Sequence, residues 1–343
     1  MRARPGGVVP PVALAAFRAV VVISSGRRDE PGDRGRPVEP DAATHQQSAA
    51  MRRKANAKIP EWLLFILPYG ALWLTFLFGP LLFGFFISLH RWDPLRGSAF
   101  VGFENYAVLF ARARFWNSFA VTWQFVVLVI PGIVLVGLLA AIALHFGRFR
   151  GKSAFESLLF FPYLLNVSII SIVWRLMHDP NIGIIRPLFA RLGIALPPLL
   201  NSATWALPMV ALTTIWWLSG YRMIIFRAAI ASIPADLYES ARLDGAGPFR
   251  TFFAITLPLL RPTLLFALVV TTVGGMRTFG QVIMMTAGGP GVATEVLALY
   301  MYRLAFDFAD FGRAAAVGFV LFLMIFVVSM GLVRLLKLKG DLR

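Results

Sequence analysis

Arg277 sits in an otherwise apolar run, among Gly274, Gly275, Thr278, Gly280 and Gln281. A cation within a membrane-length apolar segment is costly and marks a functional position by default. The glycines leave room beside it, and the hydroxyl and amide can hydrogen-bond a hydroxylated solute. Asn166, Trp174, Trp216, Trp217 and Tyr221 supply the other ingredients of a carbohydrate site, flat aromatic faces and a polar handle. The chemistry these residues offer is recognition of a solute in passage. Two alternatives stay open: Arg277 pairs with a neighbouring subunit or snorkels outward, and aromatic residues in such runs commonly form interface belts.

Bond-breaking chemistry has no foothold. His45, His90, His145 and His178 are scattered, and no pair has metal-ligand spacing. The chain has no cysteine, which removes disulfides and thiolate metal sites. Gly147-Arg148-Phe149-Arg150-Gly151-Lys152-Ser153 has the ingredients of a phosphate loop. It has one residue too few between the glycines and follows an apolar helix where a strand is required; it reads as a basic turn. Acids are rare in the apolar runs, so no proton relay is visible. The sequence offers no catalytic residue, no metal site and no cofactor site on this chain.

The elements that must position Arg277 follow from composition. The chain is 58% hydrophobic and 15% charged, with a formal charge of +16. Such apolarity fits an all-α polytopic membrane protein. The basic residues flank apolar segments, which fits membrane spans and argues against nucleic acid. Residues 1–50, rich in Pro, Gly, Arg and Ala, read as a disordered tail. Met51, followed by Arg52-Arg53-Lys54, looks like the start of the working protein, with a transmembrane domain over 51–343. Six spans are predicted: Trp62 to about Leu89, about Ser118–Phe146, Ser157–Trp174, about Ala203–Tyr221, about Thr263–Met285 and Ala314–Val333. With both termini cytoplasmic, basic residues on the inner side outnumber those outside, counting Arg222 and Arg227 in the inner loop.

The segment at about 232–260, between the fourth and fifth spans, is far longer than an antiparallel helix pair needs. Ser232-Ile233-Pro234-Ala235-Asp236 reads as a helix start, with Ser232 capping, Pro234 in the first turn and Asp236 at the positive end of the dipole. Gly245 reads as the stop. A helix of about ten residues is too short to stand alone in water, so it must pack on something. Ser240 and Ala241 are small enough to admit another protein's surface, and Leu237, Tyr238 and Leu243 are candidate anchors. Phe249–Leu260 either lies along the membrane face or continues into the fifth span.

Glu239-Ser240-Ala241, Gly245, Ile255 and Leu257-Pro258 resemble, at matching spacings, the Glu-Ala-Ala…Gly…Ile-x-Leu-Pro loop of binding-protein-dependent ABC importer permeases. Ser240 for Ala is the one departure. Phe100–Tyr106, Asp179–Gly183, Thr286–Pro290 and Tyr300–Phe306 resemble, in order, outer loops of the carbohydrate branch that handles maltose and glycerol phosphate. The resemblance covers about residues 60–340. It implies a type I importer permease fold of six helices in the inner (cytoplasmic) membrane and contact with lipid. It also implies a second permease subunit, two ATPase subunits that carry ATP and Mg, and an external binding protein that delivers a sugar or polyol. By resemblance, the short helix docks on an ATPase, with Glu239 pairing a basic residue there. The region holding Arg277, Thr278 and Gln281 lines the substrate cavity, although Phe279-Gly280 stands where relatives often have Phe-Asp. The rival readings are an ion-coupled secondary transporter, which lacks obvious ion-coupling groups or a repeated interrupted helix, a membrane-embedded enzyme, and a permease of the same family for amino acids or peptides.

Overall fold

The computed structural model describes residues 61–93 and 97–337. The expectations for the tail over 1–50 and for Met51 fall outside the described residues. Packing divides the chain into Met1–Gly70, of which Glu61–Gly70 is described and helical, and Ala71–Arg343. Helix α1 (Glu61–Trp73) is followed by a π turn over Leu74–Phe78 and by α2 (Gly79–Ser88).

A small hairpin departs from the purely helical expectation. Strands β1 (His90–Asp93) and β2 (Gly97–Phe100) pair antiparallel, His90 opposite Phe100. Asn105, in α3 (Glu104–Phe110), donates to the carbonyls of Ser88 at 2.8 Å and His90 at 3.0 Å. One amide thus satisfies the last carbonyls of α2 and the first of the hairpin, groups that would be costly to bury unpaired.

The long helices form the body. Helix α4 (Ala113–Phe146) runs 34 residues, about 50 Å at the α-helical rise. The third predicted span is two helices, α5 (Lys152–Leu164) and α6 (Val167–Met177), bent by 104° at Leu165 and Asn166. Pro162 lacks an N–H and weakens the end of α5. Asn166 then caps α6 by accepting from the Ser168 N–H at 2.9 Å. Helix α7 (Ile185–Arg191) lies in the connection to α8 (Ala206–Ala231). The fourth span was predicted to end at Tyr221. The residues after Arg222, from Met223 to Ile230, apolar but for Arg227, extend it to Ala231, and Arg222 is buried within the helix.

Short helices α9 (Ala235–Leu243), α10 (Pro248–Thr251) and α11 (Leu257–Leu259), with a π turn over Phe252–Thr256 between the last two, lead into α12 (Arg261–Met276). The chain bends by 66° there, so Phe249–Leu259 does not continue straight into the span. The fifth span was predicted to run through Arg277 to Met285. Instead α12 stops at Met276, where Gly274 and Gly275 favour helix least. The N–H groups of Arg277 and Thr278 close the last turn on Gly274 and Gly275, each at 3.2 Å. Helices α13 (Gly280–Met285), α14 (Leu297–Tyr302) with a π turn over Arg303–Asp307, and α15 (Phe311–Lys337) complete the chain.

By length and composition, four stretches can cross a membrane, Phe65–Ser88, α4, α8 and Phe311–Arg334, and six can if each bent pair counts as one. Hydrocarbon gives helices no hydrophobic reason to associate, so close packing of small residues must do it. At Gly220 in α8, an added Cβ would strike the Leu159 carbonyl of α5. Three buried clusters run along the bundle. Ala140, Leu144, Phe226, Ile230 and Leu260 lie at the end nearest α9. Phe125, Ile133, Val210 and Val282 belong to the second, and Leu109, Phe115, Tyr300 and Val317 to the third.

Candidate functional site

Helix α9 is held to the membrane body by one face. The Tyr238 hydroxyl lies 3.1 Å from that of Thr256, its ring meets Phe146 edge-on at 5.5 Å, and Ala241 is buried. Residues 238 and 241 share a face at helical spacing. Leu237, Glu239, Ser240 and Leu243 are exposed, Leu243 at 89%. Two expectations are therefore corrected. Ala241 faces inward and does not lie on the exposed surface, and Tyr238 anchors α9 within its own chain. Ile255, Leu257 and Pro258 are half-buried in the turns beneath α9.

The ends of α9 differ in how far their chemistry was readable. Ser232 closes the preceding helix, donating to the Ala229 carbonyl at 2.8 Å, and Pro234 occupies the N-cap position. The expected Ser232 cap is thus displaced by two residues, because α8 runs longer. Asp236 stands in the first turn and Arg242 in the last, both favourable to the helix dipole. Gly245 adopts φ +73°. Its N–H bonds the Arg242 carbonyl at 3.1 Å, and that of Ala246 bonds Ala241 at 2.9 Å. This paired closure needs a left-handed residue, which glycine adopts without a Cβ clash.

Deeper in the bundle, the α5–α6 break gathers three of the residues singled out for a substrate path. Trp217 donates Nε1–H at 3.2 Å to the Leu165 carbonyl left free at the break. Asn166 is engaged as the cap of α6. Tyr221 stacks on Tyr163, centroids 4.6 Å apart and planes 7° apart. Gln281 reaches the same helix one turn away, its amide 2.7 Å from the Thr214 hydroxyl. That hydroxyl also lies 2.7 Å from the Val210 carbonyl and has a single proton. The consistent arrangement turns the amide so that its NH2 donates to Thr214 while Thr214 donates to Val210. Gln281 is 3% exposed and its other amide atom has no partner.

Arg277 and Thr278 lie elsewhere. Thr278 turns back to the Gly274 carbonyl at 3.4 Å. Arg277 is exposed at the α12–α13 break and borders a cleft of about 490 Å3 with Phe279, Tyr302, Phe306 and Phe311. It makes no side-chain hydrogen bond or ion pair among the described residues. The candidates therefore fall at two places, a break beside Trp217 and Tyr221 and an aromatic cleft beside Arg277.

The sequence reading missed two features. Glu295 is fully buried, and Arg114 grips both its oxygens at 2.7 Å from α4. Arg303 pairs with the same carboxylate, and its other nitrogen donates to Ala287 at 2.6 Å. Burial pushes the Glu295 carboxyl up, but the bonds and charges of Arg114 and Arg303 outweigh it and hold it below the usual carboxylate range. The signal was thin: one acid before the apolar run Val296–Tyr300, with its partner 181 residues away. This knot sits at the far end of α4 from Phe146, and so about 50 Å from α9. The second feature is Arg222, for which the apolar residues that follow it were a readable signal.

Known proteins resemble this chain over most of its length. The model of the family described as binding-protein-dependent transport system inner membrane component matches residues 106–338. The sulfoquinovosyl glycerol transport system permease protein of Agrobacterium fabrum is 33% identical over 70% of this chain and 78% of its own. The sn-glycerol-3-phosphate transport system permease protein of Yersinia pestis is 34% identical over 77% and 90%. Among solved structures, a bacterial ABC transporter involved in the import of the acidic polysaccharide alginate superposes with a TM-score of 0.70 at 22% identity, covering 85% of this chain and 98% of that one.

Proposed function

The chain belongs to the family of binding-protein-dependent transport system inner membrane components, and from that premise we propose that it forms half of a path for a sugar or polyol, driven by ATP hydrolysed on a separate subunit. The family leaves no place for the ion-coupled alternative. The observation that carries the coupling is the posture of α9. A helix of nine residues is anchored by Tyr238 and Ala241, closed by Gly245, and offers Glu239, Ser240 and Leu243 outward. A helix so short needs support on both sides to transmit force, and the membrane body supplies one of them. An ATPase subunit, holding ATP and Mg, supplies the other. A second permease subunit completes the path, and an external binding protein loads it.

In this reading α9 and both termini lie in the cytoplasm, and the Arg114–Glu295–Arg303 knot lies outside. Relatives named for sulfoquinovosyl glycerol and sn-glycerol-3-phosphate support a sugar or polyol as cargo. Asn166, Trp217 and Tyr221 border its passage at the α5–α6 break, and Arg277 and Thr278 at the α12–α13 break, while Gln281, sealed against Thr214, lies behind the wall. The test is co-purification of ATPase subunits with the tagged chain, together with ATP-dependent uptake. Glu239→Lys is expected to abolish both while the chain stays folded, because the Glu239 side chain has no partner among the described residues. Wild-type uptake by that variant contradicts the docking assignment.

A further inference from the structure

Arg222 lies nine residues from the inner end of α8, about 14 Å at the α-helical rise. Thr271, whose hydroxyl oxygen accepts from Arg222 Nε at 3.0 Å, lies ten residues from the inner end of α12, about 15 Å. Both helices place the guanidinium near the midplane of a hydrocarbon core about 30 Å thick. The residue is 7% exposed. The bond to Thr271 is the one side-chain hydrogen bond it makes among the described residues, and no carboxylate pairs with it there. Yet the sealed side-chain atoms without a partner belong to Gln281, Tyr300 and Ser329. The two terminal nitrogens of Arg222 are not among them and make no hydrogen bond, so each keeps some accessible surface.

Beside them are aromatic faces. The guanidinium lies 5.1 Å from the centre of the Tyr221 ring, which stacks on Tyr163. An unpaired cation at this depth carries a desolvation cost, which a transient anionic partner would relieve. Arg277, in the aromatic cleft, likewise lacks an acid partner among the described residues. Glu156, the acid of the spanning pairs, is already taken by Arg227. Uncompensated charge along the bundle is thus positive at two depths.

We propose that Arg222, flanked by Tyr163 and Tyr221, is a midplane site for the acid group of an anionic sugar or polyol. This deepens the reading of the chain as a sugar or polyol permease and rests on it. The planar guanidinium presents paired donors that match two oxygens of a carboxylate, sulfonate or phosphate ester. The stacked tyrosine rings carry two hydroxyls at their edge, to which the hydroxyls of a sugar can bond. A neutral sugar supplies only hydroxyls and leaves the charge uncompensated.

The purified complex of this chain with its partner subunits, without the binding protein, is titrated with glucuronate, glucose 6-phosphate and glucose. Tryptophan fluorescence, to which Trp217 contributes from one turn away, reads binding. At least one acidic probe is expected to bind ten-fold or more tighter than glucose. Arg222→Gln is expected to remove that preference, and Arg222→Lys, which keeps the charge but not the fork, to retain part of it. Equal affinities in the wild type, as an acid of the second permease subunit seated on Arg222 would produce, overturn the inference. So does a preference that survives Arg222→Gln, or one lost in a folded Arg222→Lys complex. Co-purification of the ATPase subunits keeps the two readings apart: an assembled complex without acid preference sinks this inference alone, and failure to assemble sinks both.

Discussion

Gly245 and Glu295 carry the sharpest consequences at the scale of single residues. The space around Gly245 is open, so a substitution there is opposed by its φ of +73° alone. Gly245→Ala should cost about 1–2 kcal/mol locally, loosening α9 and lowering retention of the ATPase subunits in co-purification, with the melting of the membrane bundle unchanged. Glu295 behaves differently because its carboxylate joins α4 to the chain before α14. Removing the charge leaves two arginines facing a buried neutral amide. Glu295→Gln should therefore cost about 3 kcal/mol, the low end for a broken buried pair because both arginines keep some solvent. Its folded-state pKa is depressed, so the stability it contributes is complete above the unfolded carboxylate value of about 4.3. That contribution is lost as pH falls through the lower folded value. Melting of the detergent-purified chain should drop with acid below about pH 4, and this part of the drop should vanish in Glu295→Gln.

At the scale of elements, local signals were legible where the residues doing the work are neighbours. Gly245 ends α9 through bonds that span six residues, and the apolar run from Ser118 to Phe146 could only be a membrane helix. Breaks and buried charges were harder. Asn166 and Leu165 look ordinary in sequence, because the group that satisfies the freed carbonyl is Trp217, 52 residues on. Arg277 fell inside a predicted helix because apolarity continues to Met285, whereas two glycines and the rotation of Phe279 end α12. Ser232 resembles a cap in sequence because the predicted span ends at Tyr221, before Arg222, a charge that tertiary packing buries. Helix contact is itself testable. Gly220→Val puts two methyl groups where the Leu159 carbonyl passes, so α5 must move away from α8. A loss of about 1–3 kcal/mol is expected from such overpacking, read as a lower melting temperature, with the Tyr163–Tyr221 stack disturbed.

On the scale of the whole molecule, α4 separates two ends about 50 Å apart. One end bears α9 on Phe146 and Tyr238; the other bears the Arg114–Glu295–Arg303 knot beside a cleft of about 480 Å3 that Arg112 and Arg313 also line. In the proposed orientation, force enters at the first end and cargo at the second. A cysteine placed at Leu243 should therefore react with membrane-impermeant reagents only from the cytoplasmic side, and one at Arg112 only from outside. The most direct measurement is solute uptake into proteoliposomes carrying this chain with its permease partner, the loaded binding protein, and the ATPase subunits either present or omitted. Uptake should require ATP and the ATPase subunits and should disappear with Glu239→Lys. Uptake without those subunits, or driven by an ion gradient in their absence, would contradict the account.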